Sequence, residues 1–261
     1  MNAPVRLIQL TDTHSSHHPE GEFYGIDTLA SLRAVIDWLP HSAPFAAVVV
    51  SGDLVSEESA RAYRSLHDHL ARIDAPVYCM PGNHDDIDLL RAHVPGGNVR
   101  LDAALDLGGW RIVLLDTRVA GSSDGWLADA ELARLDAALA GAAGRPALVF
   151  LHHQPVPIGS PWIDSMMVGN ADALFAILAR HRGVRALVCG HIHQELDTAR
   201  DGIRVLGTPS TCAQFVPNHH RYEVEPRPPG YRWLDLHADG RLDTGVVRLP
   251  HPAPRVPGLP G

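Results

Sequence analysis

Lysine is missing from this chain of 261 residues, and cysteine and aromatic residues are scarce. Without lysine, a lysine nucleophile and a Schiff-base mechanism are excluded. The 3 cysteines form no C-x-x-C pair and their number is odd, so we expect no disulfide framework and a reducing compartment. The longest apolar runs, 45–50 and 147–151, are too short to cross a membrane. No basic segment precedes the first apolar run, which predicts no signal peptide and a soluble cytoplasmic protein.

The charge balance is acidic. All 22 basic residues are arginine, against 30 Asp and Glu, and the formal net charge is −8. An acidic chain lacks the broad basic face with which proteins bind nucleic acid polymers, so we expect no such partner. The apolar and charged fractions, 45% and 20%, are those of an ordinary folded protein, and the chain is long enough for one sizeable core or at most two small ones.

Short apolar runs alternate with segments of helical periodicity. Strands are predicted at 5–10, 46–51, 77–80, 110–116, 147–151 and 186–189, and helices at 27–39, 57–73, 129–139 and 171–180. Continuous Val, Leu and Ile strands between helices indicate a layered α/β fold with buried strands. After Gly190 the pattern changes to short strands joined by Asp-Gly turns, which predicts a mostly antiparallel second sheet with a hairpin over 233–247.

Histidine is the residue in excess, with 17 copies. Their position relative to the predicted strands separates them, because five strands end in side chains that can bind metal. These side chains are Asp12 and His14, Asp53, Asn83 with His84 and Asp85, His152 and His153, and His191 and His193. Ligands of open α/β sheets bind at the carboxyl ends of the strands, so these distant loops can converge.

The donor types indicate a centre with two metal ions. Imidazole and carboxylate groups without thiolate suit manganese, iron or zinc. Seven candidates are too many for one ion but suit two, with one carboxylate bridging, and such pairs are a standard clamp for displacement at phosphorus. The glycines before Asp53, Asn83 and His191 allow tight turns and close backbone approach.

This ordered set resembles the signature of the calcineurin-like metallophosphoesterases. The matching motifs are Asp12-Thr13-His14, Gly52-Asp53, Gly82-Asn83-His84-Asp85, His152 and Gly190-His191-Ile192-His193. A closer similarity, carried by 190–197, 208–215 and 229–240, is to bacterial class III 3′,5′-cyclic-AMP phosphodiesterases. The resemblance implies one domain over 1–249 with a four-layer αββα sandwich, in which helices flank two mixed sheets. A Pro-rich tail over 250–261 is expected to be loose.

The resemblance also implies roles for individual residues. The first metal would be held by Asp12, His14, Asp53 and His193, and the second by Asp53, Asn83, His152 and His191. Iron or manganese is favoured over zinc. A hydroxide bridging the two ions would attack phosphorus and produce 5′-AMP, with Asp53, Asn83 and His84 as the catalytic set. His84 would stabilise charge on the phosphate and protonate the leaving oxygen, and His14, Asn83 and His193 would also contact the substrate.

Two assignments at the centre stay open at this point. His153 competes with His152 for one ligand position, and we prefer His152 because it directly continues the strand. Asp85 either orients an imidazole or caps the following helix.

The sequence gives weaker signals for the residues that would contact the substrate. The segment 155–170 is expected to cap the metals, and Trp162, Met166 and Met167 are either an apolar wall for a nucleobase or ordinary packing. The segment 208–215 is expected to flank the base and sugar.

Two other functions stay open beside the cyclic-nucleotide phosphodiesterase. The first is hydrolysis of glycerophosphodiesters or other small phosphodiesters by the same fold, and the second is a non-catalytic scaffold. The expected partner is a small molecule, with no nucleic acid polymer and no membrane, and a homodimer is left open.

Overall fold

The computed structural model describes residues 3–17, 22–40 and 44–255. Within these ranges the strands are β1 (Val5–Leu10), β2 (Glu22–Phe23), β3 (Ile26–Asp27), β4 (Ala47–Ser51), β5 (Val77–Met80), β6 (Val99–Arg100), β7 (Ala104–Leu107), β8 (Trp110–Leu115), β9 (Arg118–Val119), β10 (Ser122–Gly125), β11 (Ala147–Leu151), β12 (Val184–Cys189), β13 (Leu196–Arg200), β14 (Ile203–Gly207), β15 (Gln214–Phe215), β16 (Val224–Glu225), β17 (Gly230–Leu236) and β18 (Leu242–Arg248). The helices are α1 (Thr28–Asp37), α2 (Ala60–Leu70), α3 (Ile87–His93), α4 (Asp129–Gly141), α5 (Pro161–Asp164) and α6 (Ala171–Leu178).

Two six-stranded sheets dominate the fold. The first has the strand order β18-β17-β1-β4-β5-β6, and the second has the order β13-β14-β12-β11-β8-β7. Parallel strands make up the centre of each sheet, and antiparallel strands complete it at the edges: β17 and β18 in the first, β13 and β7 in the second. Both sheets are therefore mixed, as the resemblance implies.

Apolar residues that alternate along the strands create the layers. Val48 and Val50 of β4 pack with helices α1, α2 and α3, whereas Val49 faces the second sheet. In β11, Phe150 lies between the sheets and Val149 packs with α4 and α6. These contacts bury both faces of each sheet and confirm the four-layer αββα sandwich.

The longer strands after Gly190 join the two large sheets instead of forming a second sheet together, so that expectation was wrong; the short strands β15 and β16 pair only with each other. The pair β13–β14 extends the second sheet, where β14 runs parallel to β12. The hairpin β17–β18 extends the first sheet, where β17 pairs antiparallel with β1. Turn residues predict that a hairpin forms, but the free edges of distant strands decide which sheet accepts it.

The described part of the Pro-rich tail contacts the β2–β3 hairpin. The backbone N–H of Asp27 donates to the carbonyl of Pro254 at 2.8 Å, and Arg255 forms an isolated antiparallel bridge with Ile26. Ala253 is buried beside Ile26 and Cys212. Residues 250–255 therefore cover the β2–β3 hairpin, while 256–261 lie outside the described residues.

The three cysteines lie in the interior of the protein. Cys79, Cys189 and Cys212 are all free and buried. Burial raises the pKa of each thiol, so the three side chains behave as small apolar groups. Among the described residues, none of the helices has the length and apolar character needed to span a membrane.

Candidate metal centre

The seven predicted ligand side chains lie together where the two sheets meet. The first sheet contributes Asp12, His14, Asp53 and Asn83, and the second contributes His152, His191 and His193. Asn83 is half-buried and the other side chains are buried. Each sheet therefore supplies part of one cluster, at the carboxyl ends of its central strands.

One group of donors contains Asp12, His14 and His193, whose ligand atoms lie within 4.8 Å of one another. His193 Nε2 lies 3.3 Å from Asp12 Oδ1 and 3.3 Å from His14 Nε2. His14 Nε2 lies 3.7 Å from Asp53 Oδ2, so Asp53 borders this group. The four side chains are those expected around the first metal.

A second group contains Asp53, His152 and His191, again within 4.8 Å. His152 Nε2 lies 3.2 Å from Asp53 Oδ1. Among the buried polar atoms without a hydrogen-bond partner in the described residues are His152 Nε2, His191 Nε2 and Asn83 Oδ1. Each unpaired buried atom costs about 1–3 kcal/mol, so three in one cluster indicate a missing ligand. Imidazole nitrogen and amide oxygen both bind divalent metals, and these residues fit such an ion.

The protonation states of most members of the cluster suit metal binding. Burial lowers the pKa of His14 to about 3 and that of His191 well below its usual value, so both imidazoles are neutral. Burial opposes the ionisation of Asp53, but His152 outweighs it and holds the Asp53 pKa well below its usual range. Neutral imidazoles and ionised carboxylates are the forms that bind metal ions. His152 is the exception: burial opposes its charge, but Asp53 outweighs burial and raises the His152 pKa to about 9, so a bound metal would displace this proton.

The ligand loops have an unusual backbone. Five of the nine non-glycine residues at positive φ in the described part of the chain belong to the cluster: Asp12 at 52°, His14 at 41°, Asp53 at 49°, His191 at 65° and His193 at 49°. Such a conformation costs about 1–3 kcal/mol at each residue and persists only where surrounding contacts enforce it. Here the N–H of Asp12 donates to Gly52 O at 3.0 Å, and the N–H of His191 donates to the Asp12 carboxylate at 3.0 Å. The strain is concentrated on the residues that form the cluster.

Two glycines allow the loops to approach each other. A Cβ on Gly82 would lie 2.8 Å from His152 Nε2, and a Cβ on Gly190 would lie 2.7 Å from Asp12 Oδ2. Both distances are shorter than real Cβ contacts. A side chain at either position would displace a member of the cluster.

His153 points away from the cluster that His152 joins. Its Nδ1 lies 2.7 Å from Thr117 Oγ1 and its Nε2 lies 3.2 Å from Ser123 O, so both ring nitrogens have partners outside the cluster. His152 uses Nδ1 for Ser51 O at 2.9 Å, which leaves Nε2 facing Asp53. The geometry favours His152 as the ligand.

Asp85 has neither of the roles considered for it. Its carboxylate accepts from the N–H of Gly82 at 2.8 Å, the N–H of Leu54 at 3.1 Å and the hydroxyl of Tyr63 at 3.0 Å. The cap of α3 is Asp86 instead. Asp85 therefore joins the loop of Asp53 to the loop of Asn83, a contact between two segments that local spacing does not reveal.

His84 lies at the open side of the cluster. It is exposed, its backbone N–H donates to Asp53 Oδ1 at 3.0 Å, and its ring stands edge-on to His14 at 5.0 Å between centroids. A cleft of about 160 Å³ begins here and is lined by the cluster and by aromatic side chains. His84 is therefore placed to touch a molecule in the cleft.

Aromatic and apolar residues form the other wall of the cleft. Of the three candidates for this wall, Trp162 and Met166 line the cleft, but Met167 does not. Sequence reasoning missed Phe23, Tyr24 and Tyr222, which come from the β2–β3 hairpin and from the loop before β16. No motif marks these three residues, and only the folded chain brings them to the cleft.

Two of the wall residues support imidazoles of the donor cluster. Phe23 stacks on His14 with centroids 3.9 Å apart, and Phe215 stacks on His193 at 4.1 Å. Phe215 belongs to the segment 208–215 that was expected near the substrate.

The chain is similar to known proteins in sequence and in structure. The model of the calcineurin-like phosphoesterase family matches residues 5–195. The 3′,5′-cyclic adenosine monophosphate phosphodiesterase CpdA of Pseudomonas aeruginosa is 39% identical, covering 95% of this chain and 91% of that protein. A 3′,5′-cyclic-nucleotide phosphodiesterase of Nostoc is 32% identical, covering 97% and 96%.

Solved structures with the same fold are more distant in sequence. A dimetal phosphatase from Danio rerio superposes with a TM-score of 0.63 at 16% identity, covering 95% of this chain and 99% of that one. GAP50, the anchor in the inner membrane complex of Plasmodium, superposes with a TM-score of 0.65 at 12% identity, covering 95% and 85%. These likenesses concern the fold alone. The family match and the relatives that are similar over nearly the whole chain show that the chain belongs to the calcineurin-like phosphoesterase family.

Proposed function

We propose that the protein is a dinuclear-metal phosphodiesterase that hydrolyses 3′,5′-cyclic AMP to 5′-AMP. The observation that carries this proposal is that Asp53 belongs to one donor group and borders the other, beside His14, on the floor of an open cleft. Relatives that are similar over nearly the whole chain carry the name of this activity.

The ligand assignment follows the two donor groups. Asp12, His14 and His193 would hold one ion, Asn83, His152 and His191 would hold the other, and Asp53 would bridge them. Iron or manganese is the proposed metal, with zinc as the alternative. Two divalent ions bound there supply a water molecule of lowered pKa and polarise the phosphate.

The chain's own residues then position and protonate the substrate. His84, Asn83, His14 and His193 border the cleft, where their side chains can contact phosphate oxygens. Because the His84 ring is exposed beside the cluster, it can deliver a proton to the O3′ leaving group. Asp85 would hold the Asp53 and Asn83 loops at their separation through Leu54 and Gly82.

The two adjacent histidines provide a test of the ligand set. His152→Ala should lose about one of two bound metal ions, because its Nε2 faces Asp53, whereas His153→Ala should keep both. Elemental analysis of the purified, folded variants measures this. Loss of a metal from His153→Ala alone, with full content in His152→Ala, would reverse the assignment.

His84→Asn should lower kcat for cyclic AMP by about 10²–10⁴-fold, the usual range for a lost general acid, while metal content stays unchanged. The loss should be smaller with bis(p-nitrophenyl) phosphate, whose leaving group needs no proton. His237→Asn, a change at a histidine that pairs with Asp243 on the surface, is the matched control. Equal losses on both substrates would exclude the general-acid role.

A substrate panel with the manganese- or iron-loaded protein tests the function itself. The panel contains cyclic AMP, cyclic GMP, 2′,3′-cyclic AMP, glycerophosphocholine and a phosphomonoester. Cyclic AMP should have the highest kcat/KM. Preferred turnover of glycerophosphocholine would favour the alternative of a glycerophosphodiesterase, and a folded protein that binds less than about one metal would favour a scaffold. The cytoplasmic location and a homodimer stay predictions.

A further inference from the structure

Four aromatic side chains from three separate segments meet above the donor cluster. They are Tyr24 of the β2–β3 turn, Trp162 of α5, Phe215 of β15 and Tyr222 of the following loop, and we call them the aromatic rim. Tyr24 and Tyr222 remain 46% and 39% exposed, although large apolar side chains are usually covered. The rim is thus an open aromatic surface beside a polar floor.

We propose that the aromatic rim binds the purine base of a nucleotide whose phosphate lies on the donor cluster. The inference rests on the proposed function, because it concerns the same cleft, and it names the part of the substrate that the metals do not recognise. A molecule with an anionic end and a flat aromatic end matches this combination of polar floor and aromatic wall.

The position of the rim relative to the floor supports this assignment. Phe215 stacks on His193, a member of the floor, at 4.1 Å and 11°. The ring of Tyr222 packs on Phe215 at 5.2 Å, and Tyr24 packs on Tyr222 at 5.0 Å. The aromatic surface therefore begins at the cluster and continues outward from it, so one small ligand can contact both.

The spacing of the rings suits a stacked base better than a quaternary ammonium group. Trp162, Phe215 and Tyr222 pack edge-on against one another, with every centroid pair 5.2 Å apart. Rings in direct contact leave no space for a cation between them, as a choline cage requires. The exposed rings of Tyr222 and Tyr24 remain available to a flat ring, and stacking of that kind accepts any base.

Trp162 adds a polar group to this surface. Its indole N–H is buried and has no hydrogen-bond partner among the described residues, although a buried indole N–H normally has one. The indole can only donate, so the missing partner is an acceptor. Purines carry ring-nitrogen acceptors at their edges, and the geometry points to one of these as the partner of Trp162 Nε1.

Calorimetric titration of the manganese-loaded protein with 5′-AMP, ribose 5-phosphate and phosphocholine tests the proposal without requiring turnover. The wild-type protein should bind 5′-AMP at least about five-fold more tightly than ribose 5-phosphate, the lower limit for stacking of one base. Tyr222→Ala and Trp162→Ala should each remove most of this difference and leave ribose 5-phosphate binding unchanged. Phe23 and Phe215 are not varied, because they support His14 and His193.

Two further variants separate the contribution of an aromatic ring from that of the hydroxyl or indole N–H that it carries, and a third is a control. Tyr222→Phe should keep the preference for 5′-AMP, since it keeps the ring. Trp162→Phe should weaken 5′-AMP binding by about three-fold, since it removes one donor. Trp38→Ala removes a tryptophan that is 51% exposed at the end of α1 and does not line the cleft, and it should change nothing.

The outcomes distinguish this inference from the proposed function. Equal affinity of the wild-type protein for 5′-AMP and ribose 5-phosphate, or equal loss of both in the variants, overturns the base site. Tighter binding of phosphocholine than of ribose 5-phosphate overturns it in favour of a cation. A rim-dependent preference for 5′-AMP together with no turnover of cyclic AMP supports the base site and removes the proposed activity.

Discussion

Asp53→Asn is expected to lower kcat for cyclic AMP by about 10³-fold or more and to reduce the bound metal to at most one ion. Asp53 is the carboxylate between the two donor groups, 3.7 Å from His14 Nε2 and 3.2 Å from His152 Nε2. An amide keeps the shape but not the negative charge that two cations require. Loss of the charge stabilisation that a metal provides, several kcal/mol, corresponds to a rate effect of this size.

Metal analysis and steady-state kinetics on the same preparation check this expectation. Asp243→Asn is the matched control, because Asp243 is a surface carboxylate that pairs with His237 and Arg241. The control should keep two metals and full activity. If Asp53→Asn kept two metals and lost less than ten-fold in kcat, Asp53 would not be the bridging residue.

Arg232→Met is expected to lower the free energy of unfolding by about 3 kcal/mol. Arg232 is only 2% exposed and crosses from the first sheet to the second. Its guanidinium donates to Thr208 Oγ1 at 3.1 Å and to Gly207 O at 2.7 Å. A methionine fills much of the volume but leaves these buried acceptors unpaired, and hydrogen bonds from a charged group are among the more expensive to lose.

Denaturant unfolding measures the effect, with Arg241→Met as the comparison. Arg241 pairs with Asp243 on the surface, where ion pairs contribute about 0–1 kcal/mol. Equal changes in the two variants would show that the buried network around Arg232 does not stabilise the contact between the sheets.

That network lies directly beneath the metal centre. Thr208 donates to Gln9, and Gln9 donates to Ser51 Oγ at 2.8 Å and to Cys189 O at 3.2 Å. Gln9 and Ser51 belong to the first sheet, and Cys189 belongs to the second. The polar side chains therefore join the two sheets close to the point where each contributes ligands.

The strands were the most predictable part of the fold. The predicted bounds 5–10, 77–80 and 147–151 coincide with those of β1, β5 and β11. Each is a short segment rich in apolar residues and mostly buried, which is a local signal. The prediction of a separate sheet after Gly190 was wrong because these pairings are not local. Strand β17 pairs with β1, more than a hundred positions earlier, and β14 pairs with β12 although β13 lies between them in the chain.

Some residues of the candidate site could likewise be predicted from the sequence, and others could not. Metal-capable residues at strand ends could be identified from the sequence, since ligand chemistry belongs to the side chain itself. Asp85 was misinterpreted, because its partners at Leu54 and Tyr63 come from other segments. Tyr24 and Tyr222 were missed for the same reason.

The sequence alone determined the buried strands and the seven donors at their ends, because apolar runs and ligand types are properties of short segments. The tertiary structure decided which sheet each C-terminal strand joins, which nitrogen of His152 faces Asp53, and which aromatic rings surround the cleft. These features depend on contacts between distant segments, and such contacts exist only after the two sheets pack against each other.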